Sequence, residues 1–127
     1  MIKASEPGEK SHFITLQQAI EMTTRYRDNK NNVISPDYAG RNIIALSDTF
    51  PREVFDKLLS KPGCSGIRIY YGMDTDLKVH PIVVAVNANN EDILPDQSAA
   101  STLDGEDIGD DAMRCPPLCP PPSPLNQ

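Results

Sequence analysis

The residues of this 127-residue chain with the widest chemical range are its three cysteines and two histidines. Two of the thiols lie close together in Cys115-Pro116-Pro117-Leu118-Cys119, and Pro120-Pro121-Pro122 follows directly. That spacing offers a local disulfide, a redox-active pair or two metal ligands. Adding Cys64 and His80 completes a Cys₃His set, the number and types of ligand that hold a structural zinc tetrahedrally. Against zinc, the Pro116-Pro117 pair disfavours the tight turn on which both thiolates would converge, and the other two ligands are remote in sequence. A disulfide between Cys115 and Cys119 is bridgeable only where the prolines allow the geometry. Cys-x-x-x-Cys also differs from the Cys-x-x-Cys of a thioredoxin-type centre. The plainer expectation is that the cysteines serve packing and tail docking, with no cofactor. Zinc on Cys64, His80, Cys115 and Cys119 is the alternative.

A catalytic thiolate at Cys64 needs a neighbouring base. His80 is the imidazole that pairing across a turn at residues 74–76 could bring near it, yet no third group to orient the ring is evident, and a buried or structural Cys64 is the simpler expectation. The acidic run 104–111 lacks the alternating oxygen ligands and closing glutamate of an EF-hand loop. Glu53/Asp56 and Asp74/Asp76 read as helix and turn surface. Phosphate-binding loops, nucleotide fingerprints, zinc-protease helices and nucleophile elbows are missing from the sequence. A binding role is therefore expected over an enzymatic one.

The prolines make their own argument. Pro116-Pro117 and Pro120-Pro121-Pro122 favour an extended polyproline II form that has little entropy left to lose on binding. Such a segment can lie across its own domain or in an aromatic-lined groove elsewhere. Tyr70 and Tyr71 alternate along one strand, so one is expected in the core and the other free as a stacking surface. The candidate interaction residues are thus Tyr70, Tyr71, Pro116, Pro117, Leu118, Pro120, Pro121 and Pro122. Arg68 is expected to be solvated on the polar face.

Charge divides the chain. Residues 1–90 hold 11 Lys/Arg against 10 Asp/Glu, and residues 91–127 hold 1 against 8, so the net charge of −6 belongs to the second part. With no clustered cations, a nucleic-acid surface is not expected. An acidic extension can solubilise, mask a binding face or engage a basic partner. No apolar run approaches a membrane span and the first residues lack an export signal, so a cytoplasmic location and free or transiently paired thiols are expected.

The elements that position these residues follow from periodicity. Thr15 and Gln18 form a capping box ahead of Leu16, Ala19, Ile20, Thr23 and Tyr26 or Arg27, predicting a helix over 16–28 after a loose segment to Lys10. Pro51 in a first turn, with Thr49 or Asp48 as cap and Val54, Phe55, Leu58 and Leu59 as stripe, predicts a second helix to Ser60. Residues 66–73 alternate as a half-buried strand, and 78–87 make its partner, with Pro81 at an edge or irregularity. Residues 42–46 offer a third strand or a helical turn. The expected architecture is α+β: two helices packed on a small antiparallel sheet centred on that hairpin, in a compact domain over 1–90. A largely irregular acidic, then proline-rich, extension occupies 91–127.

The run Pro62-Gly63-Cys64-Ser65-Gly66-Ile67-Arg68-Ile69-Tyr70-Tyr71-Gly72-Met73, after Leu58-Leu59 and before Val83-Val84-Ala85-Val86-Asn87, resembles a group of small proteins from Bacteroidota. The resemblance covers the core from Leu16 to Asn90 and the Cys-Pro-Pro-x-Cys ending. It implies a real compact domain and brings no activity or catalytic residue with it. The expectation is a small cytoplasmic interaction or accessory protein, whose sheet edge or proline-rich tail binds another protein or another copy. The alternative is a thiol-redox or structural-zinc protein built on Cys64, Cys115 and Cys119.

Overall fold

The computed structural model describes residues 12–95 and 107–127; the N-terminal segment to Lys10 and residues 104–106 of the acidic run lie outside them. In chain order the elements are α1 (Leu16–Asn29), β1 (Ser47–Thr49), α2 (Arg52–Leu59), β2 (Gly66–Met73), β3 (Val79–Val86), β4 (Asp92–Ile93), β5 (Ile108–Gly109) and β6 (Met113–Cys115). The fold is the α+β arrangement that periodicity predicts, with two helices against antiparallel sheet and an irregular C-terminal region.

The hairpin is central. β2 pairs antiparallel with β3 from Gly66↔Val86 to Met73↔Val79. The far side of β3 carries β4 through Ala85↔Ile93 and Val86↔Asp92, and β5 through Val83↔Gly109 and Val84↔Ile108. β3 is therefore interior, which explains why Val83, Val84, Ala85 and Val86 are all buried. The Asp74 amide donates to the Lys78 carbonyl at 3.0 Å. Bonded and non-bonded pairs alternate along an antiparallel ladder, so Pro81, opposite Tyr71, falls at a non-bonded pair where its missing N–H costs the hairpin nothing.

α2 lies on the hairpin face that holds Ile67, Val83 and Ala85. Its Leu58 is 1% exposed, and Phe50, Val54, Cys64 and Ile93 close around the same cluster. Phe50 and Phe55 meet edge to face at 5.8 Å. Pro51, not Thr49 or Asp48, occupies the N-cap, because those two residues are consumed in β1. Leu59 points outward at the helix end.

α1 begins at the expected capping box: the Gln18 amide donates to Thr15 Oγ1, and the Thr15 amide donates to Gln18 Oε1. Its inner side faces the two-stranded ribbon in which β1 pairs with β6. The Tyr26 hydroxyl donates to the Ala45 carbonyl, and Lys30 Nζ donates to the Ile44 carbonyl at 3.4 Å. Residues 42–46 form neither strand nor helical turn. Their carbonyls are taken by side chains and by the Val79 amide, which donates to the Ile43 carbonyl at 2.7 Å. Among the described residues, three of the six strands, β4, β5 and β6, lie beyond Asn90. No described helix is long and apolar enough to cross a membrane.

Candidate functional site

β2 is the exposed end of the sheet. Among the described residues its single ladder partner is β3, so one full edge of an eight-residue strand is open. The expectation that one of Tyr70 and Tyr71 enters the core is corrected: both are exposed, Tyr71 at 80%. α2 is only eight residues long and covers the face as far as Ile67, leaving Ile69 at 52% and Met73 at 60% exposed beside Tyr71 on that same face.

On the opposite face, Arg68 is tied rather than free in solvent. Its guanidinium reaches across β3 to pair with Asp92 on β4, and it donates to the Asn90 carbonyl at 3.2 Å and to the Asn90 side-chain oxygen. The Tyr70 hydroxyl donates to the other Asp92 oxygen. That hydroxyl first, and the Arg68 cation next, hold the Asp92 carboxyl below its ordinary range, while the Asp92 hydrogen bond raises Arg68 further. The one charged residue of the edge strand is thus drawn away from the edge.

At the hairpin turn, Asp74 accepts from the Asp76 and Lys78 amides at 2.8 and 3.0 Å, and pairs with His80 Nε2 at 2.7 Å. The imidazole hydrogen bond, followed by those amides, lowers the Asp74 pKa. His80 stands opposite Gly72, whereas Cys64 precedes Gly66 at the other end of β2. Six strand steps separate the two ends, about 20 Å at the rise of a strand. A Cys64/His80 nucleophilic pair does not form, since the hairpin places its turn, not its open end, beside His80. Cys64 is half-buried on the core cluster, with Sγ 3.4 Å from the Gly66 carbonyl oxygen.

Cys115 and Cys119 form a disulfide, with Cα atoms 4.5 Å apart. Pro116 and Pro117 do not hold the thiols apart or run as an extended helix. The chain reverses, and the Leu118 amide closes the turn on the Arg114 carbonyl at 2.8 Å. With two of its thiols joined and Cys64 and His80 at opposite hairpin ends, the Cys₃His set is not assembled; among the described residues no three His, Cys, Asp or Glu side chains are grouped for a metal. Leu118 is exposed at the tip of the turn.

The rest of the tail lies across its own domain. Arg27 donates to the Leu125 carbonyl at 2.8 Å and to the Gln127 carbonyl, and Asn126 donates to the Pro121 carbonyl at 3.1 Å. A cleft of about 330 Å³ remains between α1, β1 and this segment, lined by Tyr26, Arg27, Leu46, Cys115, Pro120 and Leu125 among others. At the base of the ribbon is a residue that periodicity does not single out: Arg114, 8% exposed, donates to the Val79 carbonyl at 2.6 Å, to the Ile43 carbonyl at 2.9 Å and to the Asn42 carbonyl. Asp48 is its cross-strand neighbour. Burial raises the Asp48 carboxyl, against the pull of Arg114 and His80, and burial likewise raises Tyr26. The available signal was Arg114 itself, the one cation in an otherwise acidic extension.

No family model, curated protein or solved structure matches the chain.

Proposed function

We propose that this is a small protein-interaction or accessory protein whose docking element is the free edge of β2. The observation that carries this reading is the combination of an open eight-residue strand edge with Ile69, Tyr71 and Met73 exposed on one adjoining face. An extended segment of a partner adds to such an edge through backbone hydrogen bonds and is selected by pockets for alternate side chains. Leu118 at the tip of the cysteine turn offers a second, smaller contact, while Pro120 is engaged by the chain's own cleft. The role proposed is binding rather than catalysis, with another protein or another copy as partner, in a cytoplasmic setting. Kinship with the Bacteroidota proteins that share the Gly63–Met73 run belongs to the same proposal.

A benzophenone amino acid placed at Tyr71, and at exposed Glu53 as control, tests it in extract of the source organism. The expected result is a discrete cross-linked species from position 71 alone, lost when Ile69→Pro is added. Equal labelling from both positions, or none from 71, overturns the reading.

A thiol-redox role is the second reading, favoured by the Cys115–Cys119 bond. In a cytoplasmic setting a closed bond of this kind is one that cycles. Rapid thiol trapping in cells, before and after an oxidant pulse, is expected to show Cys115 and Cys119 changing state together while Cys64 does not.

A further inference from the structure

Resting on the reading of β2 as a docking edge, we infer that its occupant is a second copy of this chain. The two β2 strands pair antiparallel about a two-fold axis, with Ile69 of each copy opposite Tyr71 of the other.

The free backbone groups of the β2 edge limit how a second strand can join it. Since the Asp74 amide donates to the Lys78 carbonyl, and Asn87 at the far end of β3 bonds on the β4 side, the alternation along the ladder makes Gly66, Arg68, Tyr70 and Gly72 the residues that exchange hydrogen bonds with β3. The amides and carbonyls of Ile67, Ile69, Tyr71 and Met73 therefore point out of the edge. A second β2 can join only in registers that align these four residues with their counterparts. One such register opposes all four to apolar residues: Ile69 to the partner's Tyr71 and Ile67 to the partner's Met73. Sliding the strands by one repeat in one direction sets Met73 against the partner's Ser65; in the other it sets Ile67 against the partner's Thr75. Only the first register gives every apolar residue of this face, the half-buried Ile67 included, an apolar cross-strand neighbour, the pairing that stabilises a sheet.

Charge agrees with the same register. Tyr70 lies on the axis and meets the partner's Tyr70, and Arg68 meets the partner's Gly72, so no like charges are opposed. Edge strands that must stay single are guarded by lysine, proline or a bulge along the free edge. β2 carries neither Lys nor Pro, and its Arg68 is held over β3 by Asp92. The pairing is isologous, each copy using the same patch, so it closes at two and leaves neither β2 edge free to propagate.

The whole chain should be examined by sedimentation equilibrium over a wide concentration range, where the mass is expected to rise from 14.0 kDa to twice that value. Ile69→Pro removes an outward amide without touching the ladder to β3. It is expected to weaken association about tenfold or more, two symmetry-related hydrogen bonds being lost at once. Tyr70→Cys is a test that does not depend on that variant folding. A non-bonded pair on the axis sets its Cα atoms about 4.5 Å apart, within disulfide reach, so air oxidation should give a reducible dimer. Tyr71→Cys, displaced from the axis, should not. A monomer at every concentration, or equal cross-linking by Tyr70→Cys and Tyr71→Cys, overturns the second-copy inference. If the chain is monomeric and benzophenone at position 71 still captures a different protein, the edge reading stands without it; if neither association is seen, both fall.

Discussion

Arg68 and Asp92 are joined across an intervening strand: the guanidinium leaves β2, passes over β3 and pairs with a carboxylate on β4 that also accepts from Tyr70. The Asp92 carboxyl is thereby held below its ordinary pKa, first by the Tyr70 hydroxyl and then by Arg68. A depressed folded-state pKa means that the stabilisation is fully present above the unfolded value, about 3.9, and is lost as the pH falls from there through the folded value. Asp92→Asn is therefore expected to lower stability modestly at neutral pH and to flatten the decline below about pH 4. Urea midpoints measured from pH 2 to pH 7 on both proteins check this; parallel curves would show that the pair contributes nothing.

Gly109 is expected to tolerate no side chain. A Cβ there would stand 2.6 Å from Val83 Cγ2 and 2.7 Å from Val54 Cγ1, so β5 pairs beside β3 and against α2 only because the residue is glycine. Both neighbours are β-branched and stiff, and Gly109→Ala should cost about 1–3 kcal/mol by overpacking. The measurement is the urea midpoint at unchanged slope. Ser65→Ala, exposed just outside the hairpin, is the control and should leave the midpoint in place.

Elements with long patterns were legible in the sequence and short ones were not. α1 was legible because a capping box and helical spacing agree over fourteen residues, and the β2–β3 hairpin because alternation runs through the eight residues of β2 and a Val- and Ile-rich run follows the turn as β3. β5 and β6 have two and three residues, too few for any period to register. Residues 42–46 have the composition of a strand, but Arg114, Tyr26 and Lys30 take their carbonyls, a tertiary competition that local pattern does not reveal. The same holds for the exposure of Tyr70 and Tyr71. Alternation predicts opposite faces, and how far α2 extends over one of them is decided by where Pro51 and Pro62-Gly63 stop that helix. The disulfide needed a chain reversal that the proline pair argued against.

Arg114 should resist even a conservative exchange. Its planar fork serves three carbonyls from two segments, Asn42 and Ile43 before the ribbon and Val79 at the start of β3. A lysine ammonium is a single point on a flexible stem and does not reproduce that geometry. Arg114→Lys is expected to cost about 2–4 kcal/mol, since it leaves buried carbonyls without donors. Hydrogen exchange supplies the second readout: the Val79 amide, bonded to Ile43, should lose protection well before the Val83–Val86 stretch of β3.

The disulfide is expected to matter locally rather than globally. Cys115 ends β6 opposite Ser47, is buried, and already has its strand secured by Arg114, whereas Cys119 is exposed on the far side of the turn. Chain-entropy reasoning for so short a loop limits the gain from the bond to about 2 kcal/mol. Cys119→Ser should therefore lower the unfolding midpoint only slightly and leave the hairpin amides as protected as before. Its effect belongs instead to the segment that follows, which the turn aims at Arg27. Amides near Leu125 should exchange faster, and an Arg27→Ala variant should reproduce that acceleration with the disulfide intact. Global unfolding on loss of Cys119 would show that the turn holds the ribbon itself and that Arg114 does not suffice.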